Sequence, residues 1–217
     1  MIEKEAYDEF KRIYDHAIES CDTSNVPDKY MEAGYSARFD PAWDVLSKLE
    51  PNDRVLDFGC GMAWPTVLGR LIGLRMVAVD VPHYNYADER DFVAIKKAFK
   101  TDENSFELPY IEVLKHLMGL GHDIRLLDTN LFPWPGFAEN EFDCVFAHWS
   151  MGKNFIDNGK TRDELNELYE RRIAEMVRIT KPDGVWYVSP MEDIRQIKRT
   201  KIFRNGCKIH IQLIKKR

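Results

Sequence analysis

The chain has 217 residues, of which 44% are apolar, and a formal net charge of −5. That length suits one α/β domain with additions, and the acidic balance argues against non-specific nucleic-acid binding. No apolar run reaches the roughly 18 residues of a membrane span, so no membrane partner is expected. The first residues, MIEKEAYDEF, are charged and lack the apolar stretch of a signal peptide. The four cysteines, Cys21, Cys60, Cys144 and Cys207, form no CxxC pair. Reduced thiols and a cytoplasmic location are the expectation, with no structural zinc.

Residues 2–20 read as an amphipathic helix, with Ile2, Ala6, Phe10, Ile13 and Ala17 at helical spacing. A second helix is expected from Asp40-Pro41, Asp as N-cap and Pro in the first turn, ending before Pro51. Residues 1–50 are therefore read as a helical cap segment outside the core, and 51–217 as the main domain. There strands and helices alternate. Arg54–Phe58, Arg75–Asp80, Ile124–Leu127, Cys144–His148 and Val185–Ser189 read as strands, and Pro65–Leu71 and Arg162–Ile179 as helices, the latter opened by a Thr161/Glu164 capping box. Such alternation predicts a parallel sheet with helices on both faces.

Two stretches break the alternation. Residues 81–123 are longer than one connecting helix needs, and helical segments fit at Asp88–Lys100 and Leu108–Met118. This is read as an inserted lid. Near the end, Asn205-Gly206 separates Lys201–Arg204 from Lys208–Leu213, the pattern of a type I′ hairpin. Ile209, Ile211 and Leu213 alternate with Lys208, His210 and Gln212, as in a strand with one wet face. Beyond Asp193 no acid occurs, while Lys198, Arg199, Lys201, Arg204, Lys208, Lys215, Lys216 and Arg217 are basic. Two roles fit this run: a charged sheet edge that resists aggregation, or a surface that attracts an anionic substrate. The same edge is a candidate homodimer surface.

The chemistry concentrates in VLDFGCGMA, Val55 to Ala63. An apolar strand ends at acidic Asp57. Gly59 allows a tight strand-to-helix turn, and Gly61 allows close backbone approach to a ligand. Asp80 then closes the second strand, Asp128 and Thr129 follow the third, and ENEFDCVFAHWSMGKN carries the fourth into a loop. This set resembles motif I and its companions in the class I S-adenosylmethionine-dependent methyltransferases. The resemblance runs from Pro51 to the C-terminus. It departs from the family pattern at Ala63, where a third glycine is common.

The resemblance implies a Rossmann-like α/β fold: a seven-stranded, mostly parallel sheet ending in a C-terminal antiparallel hairpin, with helices on both faces. It implies S-adenosyl-L-methionine as cofactor, held by Asp57, Gly59, Gly61, Asp80, Asp128 and Thr129. Asp80 would accept from the ribose hydroxyls, and Asp128 would lie near the adenine amino group. His148 is the candidate base for a hydroxyl acceptor, since its ordinary pKa suits neutral pH, or it packs beside the cofactor. Trp149 and Tyr35 are candidates to border a small-molecule substrate, such as a sugar, a phosphorylated metabolite or a natural product. The histidines show no mutual ligand spacing, so no catalytic metal is indicated.

Two other functions stay open. An NAD-dependent oxidoreductase also uses an acid at the Asp80 position, but its glycine fingerprint would need glycine where Trp64 stands, and it explains neither Asp57 nor the hairpin. A non-catalytic binding protein that keeps the fold is the third.

Overall fold

A computed structural model describes residues 2–23, 34–81, 83–85, 105–107, 110–128, 131–148, 162–189 and 208–210. The elements are, in chain order, α1 (Glu3–Ser20), α2 (Gly34–Leu46), β1 (Arg54–Phe58), α3 (Trp64–Leu71), β2 (Arg75–Asp80), β3 (His83–Asn85), β4 (Ser105–Glu107), α4 (Ile111–Gly119), β5 (Asp123–Leu126), β6 (Phe142–His148), α5 (Arg162–Ile179), β7 (Thr180–Ser189) and β8 (Lys208–His210).

Six strands form one sheet in the order β5-β2-β1-β6-β7-β8, and every neighbouring pair is parallel. From β1 the chain winds outward through β2 to β5. It then returns to the other side of β1 with β6 and winds outward again. The crevice between β1 and β6 is thus a topological switch point, and ligands of open α/β sheets bind outside the carboxyl ends of the strands there.

Side-chain alternation builds two cores. Val55 of β1, Met76 and Ala78 of β2, Ile124 of β5, and Cys144 and Phe146 of β6 face α1, α2, α3 and α4. Leu56 and Phe58, Val77 and Val79, Val145 and Ala147, and Trp186 and Val188 face α5 and the 131–141 connection, with Tyr169, Ile173, Met176 and Trp134 packed on them. A parallel sheet covered on both faces explains why β1 and β2 are almost continuously buried.

Several expectations change. The sheet has six described strands rather than seven. Among the described residues the expected antiparallel terminal hairpin is not seen. Its second arm, β8, pairs parallel with β7, Trp186 opposite Ile209, while Asn205-Gly206 and the first arm lie outside the described residues. The described antiparallel pairing lies elsewhere, between β3 and β4, both within the 81–123 insertion. Within that insertion α4 occupies the second expected helix. The first, Asp88–Lys100, lies outside the described residues.

Helix α2 starts before Asp40-Pro41 and carries Pro41 in its interior. The buried stripe of α1 is Ala6, Phe10, Tyr14 and Ala17, whereas Ile2 is exposed and Ile13 only half-buried. Helix α1 packs its buried stripe into the hydrophobic cluster against α3 and α4.

Candidate functional site

The turn from β1 into α3 is built on left-handed backbone. Gly59 and Gly61 adopt φ 65° and 54°. Ala63 adopts φ 57° and ψ 32° just before Trp64, with Pro65 in the first helical turn. A non-glycine residue there costs about 1–2 kcal/mol of steric strain, so neighbouring groups must hold it. The Cys60 N–H donates to the Val79 carbonyl at 2.9 Å, and the Ala63 N–H to the Cys60 carbonyl at 2.8 Å. The Tyr14 hydroxyl, from α1, donates to the Met62 carbonyl at 2.6 Å.

Two acids meet at this turn. Asp57 is 2% exposed and accepts the Thr66 hydroxyl, from the first turn of α3, at 2.7 Å. Burial pushes its pKa up to about 7, against the Thr66 hydrogen bond and with help from the charge of Asp80. Asp80, at the carboxyl end of β2, is 7% exposed. Its Oδ2 accepts the Gly61 N–H at 2.7 Å and its Oδ1 the Val81 N–H at 2.8 Å, with the Tyr110 hydroxyl 3.5 Å from Oδ2. Burial raises it to about 6, and those three hydrogen bonds restrain the rise. Among the described residues neither acid forms an ion pair.

A nucleoside ligand bearing a positive charge fits this donor set. Each oxygen of an ionised carboxylate can accept more than one hydrogen bond, so Asp80 can hold its two backbone N–H groups and still accept from vicinal hydroxyls. Among the described residues no atom lies within 4 Å of where a Cβ on Gly61 would sit. The Gly61 N–H is itself held by Asp80, and among the described residues neither Asp80 nor Asp57 has a cation paired to it. A cationic ligand group placed beside them favours their ionised state.

Asp128 lies exposed two residues past β5, and the Leu127 N–H donates to the Asp80 carbonyl at 2.9 Å. Arg172 of α5 is 5% exposed, with its guanidinium 6.0 Å from the centroid of the Phe58 ring. Burial lowers its pKa to about 10, opposed by the charges of Asp128 and Tyr169. Asp57, Gly61 and Asp80 are therefore brought together, with Gly59 opening the same turn and Asp128 reached along the sheet edge.

The remaining candidates are less fully placed. His148 ends β6 beside Ser189, across the switch point from β1, and its side chain lies outside the described residues. Thr129 and Trp149 also lie outside them, as does the side chain of Tyr35, whose backbone is in α2. Among the described residues no group of three or more His, Cys, Asp or Glu could hold a metal, and no helix is long and apolar enough to cross a membrane.

Sequence reasoning missed Thr66, Tyr110 and Tyr14. Thr66 carried a signal, as the lone polar side chain among the apolar residues WPTVL that open α3. Tyr14 also carried one, standing four residues after Phe10 on the same helical stripe.

No family model matches the chain, and no curated protein matches it. Solved structures do. A SAM-dependent methyltransferase from Aquifex aeolicus is 18% identical over 76% of this chain and 70% of its own, with a TM-score of 0.43. Phosphoethanolamine N-methyltransferase 1 of Haemonchus contortus, in complex with phosphoethanolamine and S-adenosylhomocysteine, is 19% identical over 85% of this chain and 32% of its own, with a TM-score of 0.41. The [4+2]-cyclase SpnF is 19% identical over 67% of this chain and 43% of its own, with a TM-score of 0.40. The chain thus spans less than half the length of two of these three.

Proposed function

We propose that this chain is an S-adenosylmethionine-dependent methyltransferase acting on a small-molecule acceptor, with a hydroxyl as the accepting group. One observation carries the reading. At the switch point, Asp80 grips the backbone of the glycine turn through Gly61 while Asp57 lies buried against the same turn. The two acids are raised by burial and have no cation between them among the described residues. Such a site favours a ligand with ribose hydroxyls for Asp80 and positive charge for the pair.

The bound cofactor supplies an already activated methyl group on a sulfonium. The chain then contributes positioning and exclusion of water. In this reading Asp80 orients the ribose, and Asp57 and the Gly59–Gly61 backbone set the amino-acid end. Asp128 and Thr129 border the adenine. His148, at the end of β6, takes the acceptor proton. Trp149 and Tyr35 border the acceptor, and residues 1–50 and 81–123 form the cap and lid above it. The insertion leaves the sheet right after Asp80, at the carboxyl end of β2, which supports this reading of its first part.

An NAD-dependent oxidoreductase is the second reading, and the parallel pairing of β8 with β7 favours it. The order β5-β2-β1-β6-β7-β8 is that of a doubly wound dinucleotide fold. Against it stands Trp64, buried where the third glycine of the dinucleotide fingerprint would allow close helix approach.

Calorimetric titration of the whole chain with S-adenosylhomocysteine and with NADH separates the two. The expected result is binding of the first alone; binding of NADH alone reverses the assignment. Once an acceptor is found, His148→Ala is expected to slow methylation about 100-fold or more and to remove the pH dependence of its rate near neutrality. An unchanged rate and profile would remove His148 from the chemistry.

A further inference from the structure

The contact between α1 and the glycine turn joins two regions that the sequence separates. Tyr14 is fully buried, and its hydroxyl donates to the Met62 carbonyl at 2.6 Å. Its ring stacks on Trp64, with centroids 3.7 Å apart and planes 28° from parallel, and Phe10 lies 5.6 Å from the same indole. Met62 and Trp64 flank Ala63, the non-glycine residue held in left-handed backbone. The peptide on one side of Ala63 is thus fixed by a hydrogen bond, and the side chain on the other by stacking, both from one residue of α1.

We infer that Tyr14 is a positioning residue for the cofactor turn, and that α1 holds the turn in its binding geometry from outside the nucleotide-binding sheet. This rests on the reading of the turn as the cofactor site. The reason lies in the backbone. Gly61 presents its N–H to Asp80 only while the turn keeps its left-handed residues in place. Ala63 resists that conformation where glycine would adopt it freely. The Tyr14 clamp opposes relaxation of Ala63, and so preserves the Gly61–Asp80 contact that the ligand needs. Preorganisation of this kind is expressed as affinity, since the unbound turn has less freedom to lose.

The test compares Tyr14→Phe with Tyr7→Phe. Tyr7 lies on the same helix but packs edge-on against Phe39. Both substitutions remove one hydroxyl and keep the ring. S-adenosylhomocysteine affinity is measured by calorimetry, and amide hydrogen exchange is measured on the ligand-free chain. Tyr14→Phe is expected to weaken binding about three- to tenfold, the effect of one lost hydrogen bond. It is also expected to speed exchange at residues 60–64 while leaving α5 protected. Tyr7→Phe should change neither.

Unchanged affinity in Tyr14→Phe, with wild type binding normally, overturns the inference alone. So does accelerated exchange that spreads to α5, which would make Tyr14 a general packing residue. A wild-type chain that does not bind S-adenosylhomocysteine overturns the functional reading and takes this role with it.

Discussion

The two ends of the parallel sheet treat their acids in opposite ways. At the amino end, Asp143 accepts the Arg54 N–H at 2.9 Å and pairs with Lys181 at 2.6 Å. Burial raises its pKa, but Lys181 and the Arg54 N–H outweigh burial and hold it below the ordinary carboxylate value. Nearby, Glu175 accepts the Trp134 N–H at 2.7 Å and pairs with Arg178. At the carboxyl end, Asp57 and Asp80 are buried with no cation paired to them among the described residues, and burial raises both. Charges at the amino end are compensated within the chain and serve to join elements. At the carboxyl end, Asp57 and Asp80 have no compensating cation among the described residues.

The comparison breaks most visibly at Asp80. An asparagine there has one acceptor oxygen for two backbone donors, Gly61 and Val81. Asp80→Asn is expected to lower S-adenosylhomocysteine affinity about 100-fold, the equivalent of one or two hydrogen bonds to a charged group. Calorimetry reads it directly. An affinity within twofold of wild type would mean that the ligand does not use this carboxylate.

Asp57 sharpens the contrast through pH. Its folded-state pKa, about 7, lies above its ordinary 3.8. Between those values the folded chain holds a proton that the unfolded chain has released, so this group's contribution to stability falls as pH rises through the window. The loss is on the order of a few kcal/mol when complete, several degrees of Tm for a chain of this size. Asp57→Asn still accepts the Thr66 hydroxyl but carries no charge. Its Tm should match wild type near pH 4 and exceed it at pH 8. A variant whose Tm shows the same pH slope as wild type would show that Asp57 does not cause it. Ligand affinity should move the other way in wild type, rising as Asp57 ionises, because the ligand's positive charge favours the ionised form. Stability and binding thus compete at one carboxylate, as expected where a site departs from the best choice for folding.

The same asymmetry decides what could be read from the sequence. The β1 turn was legible because its geometry is local: an acid at a strand end and glycines at alternate positions dictate left-handed backbone over a few residues. Strands β1 and β2 and helix α5 were legible to their ends for a similar reason, their apolar periodicity being uninterrupted. The partners of the acids were not legible. Thr66 lies nine residues from Asp57, and Tyr110 thirty from Asp80, and no local pattern states such a pairing. Tyr14 is 48 residues from Met62. The placement of β8 failed because an Asn-Gly signal gives the turn and not the neighbour across which the strand pairs. The amino end escaped notice altogether, since an aspartate and a lysine 38 residues apart look like ordinary surface charges until the sheet brings β6 beside β7.

The smallest effect belongs to that amino end. Lys181 is nearly half exposed, so solvent screens its pairing with Asp143 and the pair is worth under about 1 kcal/mol. Lys181→Met keeps the aliphatic stem and removes the charge. Tm should fall by no more than about 4 °C, and the loss should shrink in high salt. S-adenosylhomocysteine affinity should not change. The Asp143 carboxylate keeps the Arg54 N–H, so β1 keeps its register against β6 and carries Asp57 to the same place. A loss of affinity in this variant would mean that the two ends of the sheet communicate through β1. The division between an internally compensated end and a ligand-compensated end would then be wrong. Equal affinity with a small, salt-sensitive Tm loss assigns the amino-end charges to folding alone.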